Sequence, residues 1–315
     1  MDRLKDKVAI VTGAAQGIGE GIARMFAAEG ARVALFDRQT ELVQVVARDI
    51  GSHITLAIAG DVTSSSDLAR AVKLTHDTFK RIDIIVNNAA MPPIIMELGA
   101  YDLEQIYDKL MATNVRSSWL LLHHALPYLK HRGASIVNIA SVHGLAGAGG
   151  NSAYSASKGA LIAGTRSLAV ELAREGIRIN CISPGGIWTN TPGSGYLDSL
   201  PTAKHEEFLA EFAPIVTKQR ELYQPISVAG SPKDVAYCAV YLASDESRFC
   251  TGANFVVDGG LTAEINDSYD IKIRAQKSGE LHAEIDAWIV KNRPKSVIGR
   301  LRFFGERIRR KLRRV

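Results

Sequence analysis

The 315-residue chain is 46% hydrophobic and 23% charged, enough apolar content to bury a large core and too much for intrinsic disorder. Its net charge of +5 is uneven: residues 291–315 hold eleven Lys or Arg against the single acid Glu306, a local +10 that leaves −5 for residues 1–290. No run is apolar and long enough to read as a transmembrane helix, and the charged start Met1-Asp2-Arg3-Leu4-Lys5-Asp6-Lys7 lacks the apolar stretch of a secretory leader, so a cytoplasmic location is expected.

The first predicted element is the short apolar strand Lys7-Val8-Ala9-Ile10-Val11-Thr12. Glycines at 13, 17 and 19 follow it, and then the helical pattern Ile22, Ala23, Phe26, Ala27. Strand, glycine turn and helix is the dinucleotide-binding order: glycine lets backbone approach a pyrophosphate closely, and free N–H groups at the helix start favour its negative charge. The spacing is Gly-x-x-x-Gly-x-Gly instead of Gly-x-Gly-x-x-Gly, so the turn carries weight only through its context. The next strand, Ala31 to Phe36, ends at Asp37, eighteen residues after Gly19. A carboxylate there can accept hydrogen bonds from the adenosine ribose and repel a 2′-phosphate; the alternative reading is a cap for the helix beginning near Thr40. Arg38 is a guanidinium able to accommodate a phosphate, but the glycine turn itself has no Lys or Arg, which favours NAD over NADP.

Apolar strand candidates near 7–12, 32–37, 54–59, 82–86, 134–140, 177–182 and 253–257 alternate with helical patterns. The expected fold is α/β, a Rossmann-like doubly wound seven-stranded parallel sheet flanked by helices, in one domain spanning 1–263 with an extension at 264–315. Ligands of such sheets sit outside the carboxyl ends of the strands, where strand order reverses. Asp37, Asp61, Asn87, Ser141 and Pro184 all fall just beyond predicted strand ends, so one crevice collects them.

Ser141 closes the fifth strand, and Tyr154, thirteen residues on, opens the helix Tyr154 to Glu171. Lys158 follows Tyr154 at i+4, on the same helix face, where an ammonium favours the ionised form of a phenol. That matters because a phenol of ordinary pKa about 10 is a poor proton acceptor near neutrality. A solvated surface pair is the bland alternative, yet of the nine tyrosines only Tyr154 has a lysine four positions on. His143, two residues beyond Ser141, suggests a hydrolase, but the Gly-x-Ser-x-Gly elbow is missing. His143 instead reads as a lining residue of the substrate pocket that selects a polar substituent. Cys181, Cys238 and Cys250 form no Cys-x-x-Cys pair, so they read as thiols of a reducing compartment, and no metal site is expected.

Between Gly186 and Ser231 the pattern breaks into a Pro-, Gly- and Ser-containing insert with a short amphipathic piece at 202–212. Ile187, Trp188, Tyr196, Leu197, Leu200, Phe208, Leu209, Phe212 and Tyr223 give it an apolar or aromatic lining. Beyond it, residues 297, 301, 304, 308 and 312 form an apolar helical stripe among arginines. A basic amphipathic helix of this kind either lies on an anionic membrane surface, at the inner face, or packs on a neighbouring subunit or stays solvated; nucleic acid is not an expected partner.

These motifs together resemble the short-chain dehydrogenase/reductase family from about residue 5 to residue 263. The matching segments are Thr12 to Gly19, Asp61-Val62, Asn87-Asn88-Ala89-Ala90, Asn114, Ser141, Tyr154 with Lys158, and Pro184-Gly185; Ala90 stands where the family usually has glycine. The resemblance implies hydride transfer between a nicotinamide cofactor and an alcohol or ketone, with Asn114, Ser141, Tyr154 and Lys158 as the catalytic set. It further implies cofactor contacts from Gly13, Gln16, Gly17, Ile18, Gly19, Asp37, Arg38, Asp61, Val62, Asn88, Ala89, Tyr154, Lys158, Pro184, Gly185, Ile187 and Thr189. Within that set Lys158 lowers the Tyr154 pKa and holds the nicotinamide ribose, and Ser141 orients the substrate oxygen alongside His143 and Tyr154. Asn114 bends its helix and holds a water, or simply satisfies backbone groups; Asp61 contacts adenine or caps a helix. The insert becomes a substrate lid, and the small residues Ala156, Gly159, Ala160, Ala163 and Gly164 face a second copy in a homodimer or homotetramer. The extension 264–315 has no recognised counterpart.

Overall fold

The computed structural model describes residues 2–93, 103–131, 133–147, 149–189, 200–264 and 269–292. They divide into two compact units, residues 1–189 with 230–264 and residues 190–229 with 265–315. The expected lid therefore groups with the extension and not with the sheet. Tyr196, Leu197 and the basic stretch 293–315, and with it the expected membrane helix, lie outside the described residues.

In the first unit seven parallel strands take the order β3-β2-β1-β4-β5-β6-β7. They are β1 (Val8–Thr12), β2 (Arg32–Asp37), β3 (Thr55–Ala59), β4 (Ile84–Asn87), β5 (Ser135–Ile139), β6 (Arg178–Pro184) and β7 (Asn254–Val257). Each predicted strand is present within two residues, and the class is the expected Rossmann-like α/β fold. Three strands run slightly further than their apolar residues suggest, so Asp37, Asn87 and Pro184 are terminal strand residues; Pro184 still pairs in register with Val257. Chain order reverses between β1 and β4, which leaves a crevice at their carboxyl ends.

Strand alternation fills two apolar layers. Ala9, Val11, Val33 and Leu35 point to one face, with Ile22 and Phe26 of α1 (Gly17–Ala28) and Val235 and Val240 of α8 (Pro232–Ala243). Ile10, Ala34, Phe36 and Ile85 point to the other, with Leu68 and Val72 of α3 (Ser65–Phe79) and Leu121 and Leu129 of α5 (Ser117–Leu129). Between these helices in sequence lie α2 (Thr40–Ile50), α4 (Leu103–Met111), α6 (Ser152–Leu172) and α7 (His205–Glu221). Local chemistry sets several ends: the Ser64 hydroxyl accepts from the Asp67 N–H at 3.2 Å to start α3, and a Ser231/Asp234 capping box with Pro232 starts α8. On α6 part of the small-residue face serves this chain itself. A Cβ at Gly164 would lie 2.2 Å from the Trp119 ring of α5.

The second unit, among the described residues, is built on α7 and α9 (Tyr269–Asn292). The amphipathic piece expected at 202–212 is thus the start of a 17-residue helix. Its polar C-terminal half, and Pro214 within it, hide the periodicity from sequence.

Among the described residues, no helix is long and apolar enough to cross a membrane.

Candidate active site

The crevice is shaped first by Thr12, the last residue of β1. Its hydroxyl donates to the Val86 carbonyl at 3.2 Å and accepts from the backbone N–H groups of Asn88 (3.0 Å) and Ala89 (3.1 Å), joining β1 to the segment after β4. The Asn88 amide donates to the carbonyls of Thr12 (2.9 Å) and Gly13 (3.1 Å), so its side chain shapes the turn. The turn itself is tight. Gly17 has φ +62°, and a Cβ at Gly19 would sit 2.1 Å from the Gly13 carbonyl oxygen, which no side chain tolerates. Gln16 precedes α1 in extended conformation without a side-chain cap, leaving the positive end of the helix to whatever anion arrives.

Asp37 is buried at the end of β2. Its carboxylate accepts from the N–H of Ala15 at 3.1 Å and of Gln39 at 3.0 Å, so it buttresses the glycine turn; Gln39, not Asp37, occupies the cap position of α2. Arg38 beside it is exposed. Asp61 accepts from the N–H and hydroxyl of Thr63, both at 2.8 Å, while Ser64 caps α3, so the capping role proposed for Asp61 is filled by its neighbour. Val62 is buried in the apolar layer behind it. Across the crevice, Thr189 approaches Gly17 closely enough that a Cβ there would lie 3.3 Å from its methyl. Gly185 follows Pro184 under the turn after β7, where a Cβ would meet the Asp258 Cα at 2.8 Å. Ile187 forms a bridge with Gly230, and the Trp188 N–H donates to the Gly230 carbonyl at 2.6 Å.

Tyr154 is the third residue of α6, and its phenol lies near the hydroxyl of Ser141, which begins a 3-10 turn at Val142–Gly144. The Ser141 Oγ also accepts from the His143 N–H at 3.2 Å. Lys158 is buried; its Nζ lies 5.7 Å from the Tyr154 ring centroid and donates to the Ile139 carbonyl at 2.8 Å. Burial pulls the Lys158 ammonium down to about 8. Burial likewise pushes the Tyr154 phenol above its ordinary value, opposed by the bond to Ser141. The resemblance implies that Lys158 lowers the Tyr154 pKa; in this structure burial sets the direction, with Ser141 opposing it. The His143 ring stands edge-on to Tyr154 at 5.7 Å, with a buried Nδ1 that has no partner, and burial lowers its pKa.

Asn114 sits in a π-helical turn, Ala112–Arg116, between α4 and α5. Its Oδ1 accepts from the Met91 N–H at 2.7 Å, and its Nδ2 donates to the Met91 carbonyl at 3.3 Å and to the Ser157 Oγ at 3.1 Å. Ser157 in turn donates to the Tyr154 carbonyl at 2.7 Å. Asn114 is therefore linked to the Tyr154 helix through Ser157, a residue the sequence reading passed over, as it did the shaping role of Thr12. A polar residue ending an apolar strand, and a serine three positions after Tyr154 on the same helix, were the available signals.

The site can thus bind a dinucleotide and exchange one proton. The glycine turn, the uncapped start of α1 and the buried Asp37 fit a nicotinamide dinucleotide in shape and charge. Comparison with known proteins agrees. A family profile described as enoyl-(acyl carrier protein) reductase matches residues 13–262. Secoisolariciresinol dehydrogenase of Forsythia intermedia is 36% identical over 272 residues, covering 82% of this chain and 90% of its own. L-fucose dehydrogenase of Mus musculus is 36% identical over 260 residues (82% and 89%), and (+)-borneol dehydrogenase 2 of Salvia officinalis 36% over 265 residues (83% and 91%).

Proposed function

The chain belongs to the short-chain dehydrogenase/reductase family of NAD(P)-dependent oxidoreductases, and on that footing we propose an NAD-dependent dehydrogenase that interconverts a secondary alcohol and its ketone. The observation that carries this reading is the buried Lys158, its Nζ 5.7 Å from the Tyr154 ring, with the Ser141 hydroxyl near the same phenol. When bound, the nicotinamide accepts or supplies the hydride.

The remaining work belongs to side chains of this protein. Gly13, Gln16, Gly17, Ile18 and Gly19 hold the pyrophosphate against the start of α1, and Asp37 takes the adenosine ribose, with Arg38 outside it. Asp61, Val62, Asn88 and Ala89 flank the adenosine; Lys158 reaches the second ribose; Pro184, Gly185, Ile187 and Thr189 hold the nicotinamide. Ser141 donates a hydrogen bond to the substrate oxygen, and Tyr154 exchanges a proton with it. The Lys158 cation favours the phenolate that forms in reduction, and the Asn114–Ser157 pair fixes the helix that carries both. His143 meets a polar substituent of the substrate. The apolar and aromatic residues of the insert favour a medium-sized alicyclic, aromatic, terpenoid or steroid alcohol. The active form is a homodimer or homotetramer.

A second reading, an NADPH-dependent 3-oxoacyl carrier-protein reductase, draws on the description of the matched profile and on the basic tail. The buried Asp37 carboxylate opposes it, because it would repel a 2′-phosphate. A panel of secondary alcohols with NAD⁺ and with NADP⁺, followed by absorbance of the reduced cofactor, separates the two. Tyr154→Phe is expected to lower kcat by about 10²-fold or more while leaving the Kd for NAD⁺ within about twofold. Retained turnover overturns the assigned acid/base.

A further inference from the structure

A dinucleotide has two ends, and the sheet of the first unit assigns them. The pyrophosphate belongs at the glycine turn after β1 and the adenosine ribose at Asp37 after β2, so the strand left for the base is the next one out, β3. Residues 60–64 connect β3 to α3. Within that loop Val62 is buried and Asp61 is exposed.

Asp61 uses one carboxylate oxygen on its own loop: Oδ1 accepts from the N–H and from the hydroxyl of Thr63, both at 2.8 Å. Its Oδ2 has no hydrogen-bond partner among the described residues and can accept from a ligand. Adenine offers an amino group as donor. Hypoxanthine carries an oxygen on the same ring carbon, which a carboxylate repels.

Such an acceptor selects a donor only if its loop is held. Two guanidinium groups bind backbone carbonyls at the two ends of this loop. Arg70 of α3 donates to the Ala59 carbonyl at 2.7 Å, a local contact eleven positions apart. Arg116 donates from Nη1 to the Thr63 carbonyl at 3.2 Å, across 53 positions. Thr63 is therefore bonded through its N–H and hydroxyl to Asp61 and through its carbonyl to Arg116. Arg116 is the last residue of the π-helical turn that carries Asn114, and the bonds of Asn114 to Met91 and Ser157 fix that turn. A second tie runs beside it: the Ser65 hydroxyl, at the start of α3, pairs with His124 Nε2 of α5 at 2.9 Å.

We propose that Arg116 is a positioning residue for the base of the cofactor: by holding the Thr63 carbonyl it fixes the loop in which Asp61 keeps Oδ2 for the amino group of adenine. This rests on the reading that NAD⁺ lies in the crevice with its adenosine toward β3.

The test compares the full chain as wild type, Arg116→Ala and Arg116→Lys by calorimetric titration with AMP, IMP and nicotinamide mononucleotide. Wild type is expected to bind AMP about tenfold more tightly than IMP. Arg116→Ala is expected to raise the Kd for AMP about fivefold, with the Kd for IMP and for nicotinamide mononucleotide within about twofold. Arg116→Lys restores AMP binding to within about twofold of wild type, because an ammonium can donate to the same carbonyl. Since Arg116 is exposed, the Tm of both variants is expected within about 2 °C of wild type. Unchanged AMP affinity in Arg116→Ala overturns the proposal. Equal weakening of all three ligands does so too, because it marks a general loosening of the fold. A wild type that binds NAD⁺ without distinguishing AMP from IMP overturns it through Asp61. A wild type that binds neither NAD⁺ nor AMP sinks the placement of the cofactor itself, and the proposal with it.

Discussion

Two ionisable groups, the half-buried Tyr154 and the buried Lys158, moved in opposite directions by desolvation, set the pH behaviour of the site. The Tyr154 phenol is raised and the Lys158 ammonium is brought to about 8. Below its raised pKa Tyr154 keeps its proton, so near neutrality it is ready to donate and reduction is favoured. Oxidation needs the deprotonated oxygen, so kcat/KM for the alcohol is expected to climb by up to about tenfold per pH unit from pH 7 toward 9, while kcat/KM for ketone reduction, which uses the protonated form, stays level. Initial rates in both directions across that range check this; a flat oxidation profile would remove Tyr154 as the titrating group. The spacing of Tyr154 and Lys158 was legible from sequence because i and i+4 share a helix face. The sign of the Tyr154 shift was not, because burial depends on strands far away in the chain.

At the scale of the element, the glycine turn works as a unit. Asn88 and Asp37 each bond its backbone, at the Gly13 carbonyl and the Ala15 N–H, and the Gly19 Cα faces the Gly13 carbonyl with no room for a methyl. Gly19→Ala is therefore expected to cost about 1–3 kcal/mol and to weaken NAD⁺ binding, readable as a lowered urea midpoint and a raised Kd. An unaltered midpoint would mean the turn has slack that its geometry denies. The π-helical turn at Asn114 is the element least legible beforehand. Helical periodicity predicts a continuous helix through Leu110 to Val115, and only the tertiary hydrogen bonds to Met91 and Ser157 reveal why one extra residue is looped into it. Strands, by contrast, were readable to within two residues, since apolar runs between turn residues register burial on both faces of a parallel sheet.

For the whole molecule, the crevice formed by the reversal of strand order makes cofactor binding a property of the folded first unit. Ligand at 100 times its Kd stabilises the folded form by about 2.7 kcal/mol. For a unit of this size that corresponds to a Tm rise of roughly 5–10 °C with NAD⁺, and a smaller one with NADP⁺ at equal concentration. Scanning calorimetry with each cofactor tests the preference without any knowledge of substrate; a larger shift with NADP⁺ would reverse it. The partition of the chain was less legible than its sheet. Sequence separates insert from extension because 33 residues and a strand lie between Gly230 and Glu264, and nothing in either segment alone announces that Phe208, Phe212 and Trp288 meet.

That meeting has a consequence for how such an enzyme could diversify. An insert whose two ends meet at one paired backbone junction, Ile187 with Gly230, would by that bridge alone read as an exchangeable cassette. Here the cassette is in two pieces that are distant in the gene and adjacent in the protein, so a transplant of residues 190–229 into a relative would carry half a module and leave an aromatic seam open.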